Sequence, residues 1–302
     1  MPPFPALNTR LERAEAAIGG VQYRAVQRTM ERLTRAKHSV VRVGDLDIPI
    51  LRAGRGPVLL ALHGFSDRKE TWLTALPWLA RSFDVIAPDL PGFGGAPVVA
   101  PARATVVAQV ATMLGLLDAL GLDRVHVVGN SMGGGIAARL AHDHPARVRS
   151  VALLAAAGPA GFHPITQARL DAGNNPLLPT SFDAFLDLIA LGYARRPPWP
   201  RPLLRHVAGQ WMARHVEHRD HFERMIAPQP GEGVPEVMQR PGMAALVVYG
   251  REERIVHPRN RELFVDGLGA RLLLLSDVGH APHLEAPRKV AAALRELAAL
   301  AR

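Results

Sequence analysis

From residue 58 onward, short runs of aliphatic and β-branched residues alternate with longer runs that repeat at helical spacing. In a chain of this kind the strands lie parallel in one sheet, and the helices cover its faces. Two further β-rich runs, separated by Gly44-Asp45, precede this part and predict an antiparallel pair at a sheet edge. We therefore predict an α/β fold with an eight-stranded, mostly parallel sheet and flanking helices. The predicted strands are Val40–Val43, Ile48–Leu51, Val58–Leu62, Phe83–Ala87, Val125–Gly129, Val148–Leu154, Leu246–Tyr249 and Arg271–Leu275.

The alternation stops after Leu154. From residue 161 to residue 243 no strand pattern appears, prolines cluster, and Ser181–Ala194 and Leu203–His215 show helical patterns. A structureless loop of this length is uncommon inside a compact domain. We predict that residues 161–242 form a helical cap, inserted into a core made of residues 39–160 and 243–302.

Residues 1–38 precede the predicted sheet and form a separate amphipathic extension. Apolar residues such as Leu11, Ile18 and Leu33 recur at helical spacing among arginines and glutamates, and we expect the helix to break at Gly19-Gly20. Such an extension packs on the body or on a second subunit, or it makes peripheral contact with an anionic membrane. Met1–Asn8 lack the basic cluster and apolar stretch of a secretory signal, which favours a cytoplasmic protein.

The composition excludes several classes of function. The chain has no cysteine, so disulfides, thiolate-bound metals and a cysteine nucleophile are excluded. The net charge of +9 invites a comparison with nucleic-acid-binding proteins. Only three of the 36 basic residues are lysines, however, and the arginines are scattered rather than gathered in a stripe. We therefore expect no nucleic-acid partner and no cofactor.

The pentapeptide Gly129-Asn130-Ser131-Met132-Gly133 stands between a predicted strand and an Ala-rich helical run. It fits the G-x-S-x-G nucleophile elbow, a sharp strand-to-helix turn that needs small residues so that the serine oxygen projects from a strained backbone. The alternative is a serine that caps the N-terminus of a helix. The context favours Ser131 as a nucleophile.

A serine nucleophile needs a base, and the base needs an orienting acid. His280 follows the last predicted strand, where a loop can return it to Ser131, and it is our candidate base; His283 is the alternative. The acid is expected after the preceding strand. Glu253 is the candidate by position, with Glu252 as the alternative.

The loop after the third predicted strand reads His63-Gly64-Phe65. The backbone N–H groups of Phe65 and Met132 are the candidates for an oxyanion hole, and His63 is interpreted as a residue that shapes this loop. His215, Glu217, His218 and His221 match no established zinc spacing. We interpret them as polar residues of the cap surface and predict no metal site.

Four linked motifs occur in order along the chain: Leu62–Phe65, Ala87–Gly94, Gly129–Gly134 and Gly279-His280. Together they resemble the α/β-hydrolase superfamily, and the resemblance extends from about residue 40 to the C-terminus.

Four further stretches are His63–Trp72, Asn175–Leu178, Phe182–Leu186 and Pro197-Pro198. With them the chain looks more narrowly like bacterial lipases and esterases of the monoacylglycerol-lipase type. This similarity implies hydrolysis of a carboxylic ester or lipid, with the acyl chain under the cap and an acyl-enzyme on Ser131. Relatives usually carry aspartate where Glu253 stands.

Two other functions remain open at this point. The first is a meta-cleavage-type C–C bond hydrolase, in which a tryptophan commonly follows the histidine, whereas Ala281 does here. The second is a non-catalytic binding protein on the same fold. Dehalogenases and epoxide hydrolases use an aspartate nucleophile and are excluded by Ser131. Candidates for an acyl pocket in the cap are Phe182, Phe185, Leu186, Trp199, Trp211, Met212 and Phe222.

Overall fold

The computed structural model describes residues 10–226, 230–235 and 243–301. Met1–Asn8, on which the expectation about a secretory signal rests, lie outside the described residues, as do residues 227–229 and 236–242 of the predicted cap. The strands are β1 (Lys37–Val43), β2 (Leu46–Gly54), β3 (Val58–Leu62), β4 (Asp84–Pro88), β5 (Val125–Asn130), β6 (Val148–Leu154), β7 (Ala244–Gly250) and β8 (Arg271–Leu275). The α-helices are α1 (Arg10–Thr34), α2 (Leu76–Leu79), α3 (Val106–Ala119), α4 (Met132–Asp143), α5 (Pro164–Asp171), α6 (Phe182–Gly192), α7 (Arg201–Met212), α8 (His215–Ile226), α9 (Pro258–Leu268), α10 (Pro282–Glu285) and α11 (Pro287–Leu300).

The eight strands form one sheet in the order β1-β2-β4-β3-β5-β6-β7-β8. β1 and β2 are antiparallel, with Val41 opposite Ile48, and β2 is antiparallel to β4. The remaining neighbours in the sheet, which are the pairs β4–β3, β3–β5, β5–β6, β6–β7 and β7–β8, are all parallel. The prediction of an eight-stranded, mostly parallel sheet is confirmed. β1, β2 and β7 extend beyond their predicted limits, because backbone pairing continues past the apolar residues that mark a strand in the sequence.

Helices cover both faces of the sheet, so the central strands are buried on each side. On one face α3, α4 and α9 pack against the sheet, and Met113, Ile136 and Phe264 are buried there. On the other face α11 packs together with α2 and the short 3-10 helix Lys69–Thr74, which buries Trp72 and Leu294. Coverage on two sides explains why β5 reads as a continuous buried run rather than an alternating one.

In the described part of the segment between the end of β6 and the start of β7 lie helices α5 to α8. Ser181 caps α6, because its Oγ accepts a hydrogen bond from the Ala184 amide at 3.1 Å. Arg205 of α7 lies over the ring of Phe182 at 4.2 Å from its centroid and ties α7 to α6. This helical segment lies on the side of the sheet where the predicted nucleophile emerges.

Helix α1 is continuous from Arg10 to Thr34, so the expected break at Gly19-Gly20 is wrong. Both glycines are buried against α7, and a Cβ on Gly19 would lie 1.9 Å from the carbonyl oxygen of Pro202. The missing side chains allow close approach of the two helices rather than a turn. Arg205 reinforces the contact through ion pairs with Glu12 at 3.1 Å and Glu15 at 2.7 Å.

Within the described part of the chain, none of the helices is both long enough and apolar enough to span a lipid bilayer.

Candidate active site

Ser131 occupies the turn between β5 and α4 with φ of 54° and ψ of −118°, a backbone conformation that non-glycine residues rarely adopt. Two backbone hydrogen bonds of 2.9 Å hold it there: its amide donates to Leu154, and its carbonyl accepts from Ala157. The neighbouring glycines leave no room for a side chain. A Cβ on Gly133 would lie 2.5 Å from the carbonyl oxygens of Leu62 and His63. The local geometry is that of a nucleophile elbow.

His280 lies on the loop between β8 and α10, and its Nδ1 is 2.8 Å from Oε2 of Glu253. The other carboxylate oxygen of Glu253 accepts hydrogen bonds from the amides of Ile255 at 2.6 Å and Val256 at 3.2 Å. Glu253 is buried. Its carboxylate is therefore fixed at both oxygens, and one of them orients the imidazole. The extra methylene of glutamate is accommodated because the carboxylate is drawn back onto the two amides.

Glu252 points elsewhere. Its carboxylate accepts a hydrogen bond of 3.0 Å from the amide of Val278, so it connects the loop after β7 to the loop that carries His280. Among the described residues, the structure brings Glu253 and not Glu252 to the histidine ring.

Two residues that the sequence reasoning did not select support His280. The side-chain amide of Asn130 donates through Nδ2 to the carbonyl of His280 at 2.9 Å and to that of Leu154 at 3.1 Å. Glu285 accepts hydrogen bonds from the amides of Ala194, Gly279 and Ala281. Burial raises the pKa of the Glu285 carboxyl, and these three amides oppose that shift. Asn130 is the variable position of the elbow motif, whereas Glu285 carries no motif signal because its partners meet it only in the folded chain.

The backbone amides of Phe65 and Met132 flank the serine. A Cβ on Gly64 would lie 3.4 Å from Cβ of Ser131, which places the loop after β3 directly beside the elbow. Within the described residues, neither amide donates to a backbone carbonyl. Both are thus available to stabilise negative charge on a bound oxygen.

His63 and His283 are buried histidines with structural partners. His63 bonds the carbonyl of Gly64 through Nδ1 at 2.8 Å and accepts from the amide of Leu90 through Nε2 at 3.0 Å, so it fixes the loop. His283 bonds Thr71 at 3.0 Å and packs against Trp72. Burial, together with the nearby His280, lowers the pKa of His283 to about 3. His283 therefore remains neutral at physiological pH.

Ser131 and His280 line a cavity of about 290 Å³. Among the cap residues considered from the sequence, Phe185, Trp199 and Trp211 line it, and Phe182, Leu186, Met212 and Phe222 are outside its lining. Four residues of α1 also contribute, which the sequence reasoning did not foresee. They are Tyr23, Val26, Gln27 and Met30.

The histidines of α8 do not form the polar surface that the sequence suggested. His218 and His221 are buried, so this interpretation is wrong for both. His218 bonds the Ser66 hydroxyl at 2.8 Å, and His221 bonds the carbonyl of Val99 at 3.0 Å. The sequence of α8 is rich in polar residues and therefore predicts an exposed helix, whereas in the structure both histidine rings pack against Phe93 in the core.

Comparison with known proteins agrees with this geometry. The family model described as alpha/beta hydrolase fold matches residues 57–190. Monoacylglycerol lipase abhd6-B of Xenopus laevis is 26% identical over 80% of this chain and 74% of its own length. Lipase 3 of Moraxella sp. (strain TA144) is 29% identical over 78% of this chain and 75% of its own length. The crystal structure of a membrane phospholipase A, described as a bacterial virulence factor, superimposes with a TM-score of 0.87 at 27% identity, covering 94% of this chain and 93% of that one.

The chain therefore has the α/β-hydrolase fold. Within that class it is a lipase-like α/β-hydrolase, as the resemblance drawn from its motifs predicted.

Proposed function

We propose that this protein is a serine hydrolase that cleaves carboxylic esters of amphiphilic or lipid substrates. The observation that carries the proposal is the placement of Ser131 and His280 on one apolar cavity, with the imidazole held by a buried Glu253. A strained nucleophile, an oriented base and two free amides are the components of acyl transfer. The lipase relatives support the same reaction class.

The reaction proceeds in two halves. Ser131 Oγ attacks the ester carbonyl carbon while His280 takes the hydroxyl proton, and the tetrahedral oxyanion binds the amides of Phe65 and Met132. When the intermediate collapses, the alcohol leaves with the proton from His280, and the acyl group remains on Ser131. Water then attacks the acyl carbon after His280 removes its proton, and the carboxylic acid is released. Glu253, hydrogen-bonded to the ring through Oε2, stabilises the transient imidazolium.

The proposal assigns catalysis to Ser131, His280 and Glu253. It also divides the chain into a core of residues 39–160 and 243–302 and a cap of residues 161–242. The cap separates the ester from bulk water, and its cavity-lining aromatic residues bind the acyl chain. Ala281 beside the base disfavours C–C bond hydrolysis. The triad geometry disfavours a purely binding role.

The outer face of α1 favours contact with a lipid surface. Leu11, Ile18, Val21 and Leu33 are between 53% and 79% exposed. The same helix also carries exposed arginines, which can bind anionic lipid headgroups. We expect the protein to sediment with vesicles that contain anionic lipid and to dissociate as ionic strength rises. Binding that is equal on neutral vesicles and insensitive to salt would contradict an electrostatic contact.

The test of the reaction is hydrolysis of p-nitrophenyl esters from acetyl to palmitoyl by wild type and Ser131→Ala. We expect turnover by the wild type and none by the variant, whose folding is checked by circular dichroism and thermal denaturation. A fluorophosphonate reagent should add its mass to Ser131 in the wild type only. Ester turnover that persists in Ser131→Ala would contradict the mechanism.

A further inference from the structure

The cavity at Ser131 has two groups of lining residues that differ in chemistry. Apart from Gln210, whose side-chain amide bonds His206, the cap helices α6 and α7 contribute apolar side chains, which suit an acyl chain: Phe185, Leu188, Ile189, Val207 and Trp211. Helix α1, besides Val26 and Met30, and the segment after Phe65 contribute polar ones: Tyr23, Gln27, Asp67, Arg68 and Glu70. An ester has an acyl part and an alcohol part, so a lining with two characters can bind each part separately.

Tyr23 is the centre of the polar group. The Arg68 guanidinium donates a hydrogen bond to its hydroxyl oxygen, which leaves the hydroxyl proton available as a donor. Burial raises the pKa of Tyr23 to about 12, so the hydroxyl keeps this proton at physiological pH. Gln27 lies one helical turn further along α1, on the same face, and its side-chain amide makes no hydrogen bond to another described residue.

The charged groups around this polar group leave no positive excess, because acidic side chains outnumber basic ones. Arg68 stands beside Asp67, which also lines the cavity. Lys69 is shared by two carboxylates, Glu70 at 2.9 Å and Asp89 at 2.7 Å. A phosphate or a free carboxylate would therefore meet at least as much repulsion as attraction. A hydroxyl group, which both donates and accepts, matches the available partners.

We propose that α1 forms the alcohol subsite of the active site, and that Tyr23 and Gln27 are specificity-determining residues that hydrogen-bond the hydroxyls of an uncharged polyol ester. This inference rests on the proposed ester hydrolysis and assigns the part of the substrate that leaves. The acyl chain lies against α6 and α7, and the alcohol part lies between α1 and the loop that carries the oxyanion amide of Phe65. The N-terminal helix is thus a component of the substrate site as well as a covering for α7.

The experiment compares three esters of one acyl chain: glycerol monooctanoate, ethyl octanoate and octanoyl glycerophosphate. We expect kcat/KM of the wild type to be highest for the glycerol ester. In Tyr23→Phe and in Gln27→Leu the ratio of kcat/KM for the glycerol ester to that for the ethyl ester should fall about five- to tenfold, the effect of one hydrogen bond to substrate. Gln22→Leu, a change on the same helix outside the cavity lining, is the matched control and should leave the ratio within twofold.

The outcomes separate the subsite from the reaction. Hydrolysis of both esters with a ratio that neither variant changes would overturn the α1 subsite and leave the proposed function intact. A wild-type preference for the glycerophosphate ester that Arg68→Gln abolishes would overturn the assignment to an uncharged alcohol. Hydrolysis of none of the esters by folded wild type, with no labelling of Ser131, would overturn both proposals.

Discussion

Ser66 Oγ lies 2.8 Å from Nδ1 of His218, and this buried hydrogen bond joins the loop after β3 to helix α8. Ser66 directly follows Phe65 and has a φ of 58°. The ring of Phe65 also packs on α8, with its centroid 5.9 Å from that of His218 and 5.5 Å from that of Phe222. The position of the Phe65 amide, one of the two proposed oxyanion donors, therefore depends on α8.

This dependence makes Ser66 a positioning residue. In Ser66→Ala the loop loses its hydrogen bond to α8, so the Phe65 amide is less precisely positioned. The misplaced amide stabilises the oxyanion of the transition state less well, whereas binding of the uncharged ester depends little on it. We expect kcat to fall about tenfold with little change in KM, less than the loss of a whole oxyanion donor causes. Ser150→Ala removes a comparable buried serine–histidine bond, to His126 at 2.8 Å, away from the cavity, and should leave kcat unchanged. Equal effects of the two changes, or an effect on KM alone, would contradict the positioning role.

The two adjacent glutamates should differ sharply in their effect on catalysis. In Glu253→Gln the neutral amide no longer stabilises the imidazolium, and we expect kcat to fall by about 10³. In Glu252→Gln the side-chain carbonyl can still accept from the amide of Val278, so kcat should remain within about twofold. Steady-state kinetics on a p-nitrophenyl ester, with folding checked for both variants, measures the difference. The reverse ranking would assign the acid to Glu252.

Much of the fold could be predicted because its signals are local. Each buried strand is a short aliphatic run such as Val148–Leu154, whose observed limits equal the predicted ones. The elbow motif likewise spans five consecutive residues, so its turn can be recognised without knowledge of its neighbours. Glu253 and His280, which the structure brings into hydrogen-bond contact, are predicted from their order after successive strands, because parallel topology brings such residues to the same edge of the sheet.

The features that sequence reasoning missed depend on contacts between distant segments. Gly19-Gly20 indicates a helix break when taken alone, and only the carbonyl of Pro202 explains why glycine is needed within a continuous helix. His218 is polar by composition, yet Ser66, 152 residues away, provides its partner. The contribution of Tyr23 to the cavity likewise arises from the packing of α1 on α7, for which no local pattern exists.

The close packing of α1 on α7 predicts that Gly19→Ala destabilises the protein. Alanine is favoured over glycine inside an isolated helix by about 1 kcal/mol. Here the new Cβ would collide with a backbone carbonyl at 1.9 Å, and separating the helices should cost about 1–3 kcal/mol net. Ala17→Ser, on the exposed side of the same helix, should have little effect. Urea denaturation of the three proteins measures this, and a Gly19→Ala protein as stable as the wild type would show that α1 packs more loosely.

His126 predicts a dependence of stability on pH. It is buried on β5, and burial, followed by the nearby Arg149 and Arg124, lowers its pKa from 6.5 to about 4. Between these two values the unfolded chain binds a proton that the folded chain excludes, so the stability present above pH 6.5 is lost as the pH falls. For this residue alone the loss from pH 7 to pH 5 is about 2 kcal/mol. In His126→Asn that part of the loss should disappear, which denaturant unfolding of both proteins at the two pH values will show. An identical loss in the variant would mean that His126 is protonated equally in the folded and unfolded states.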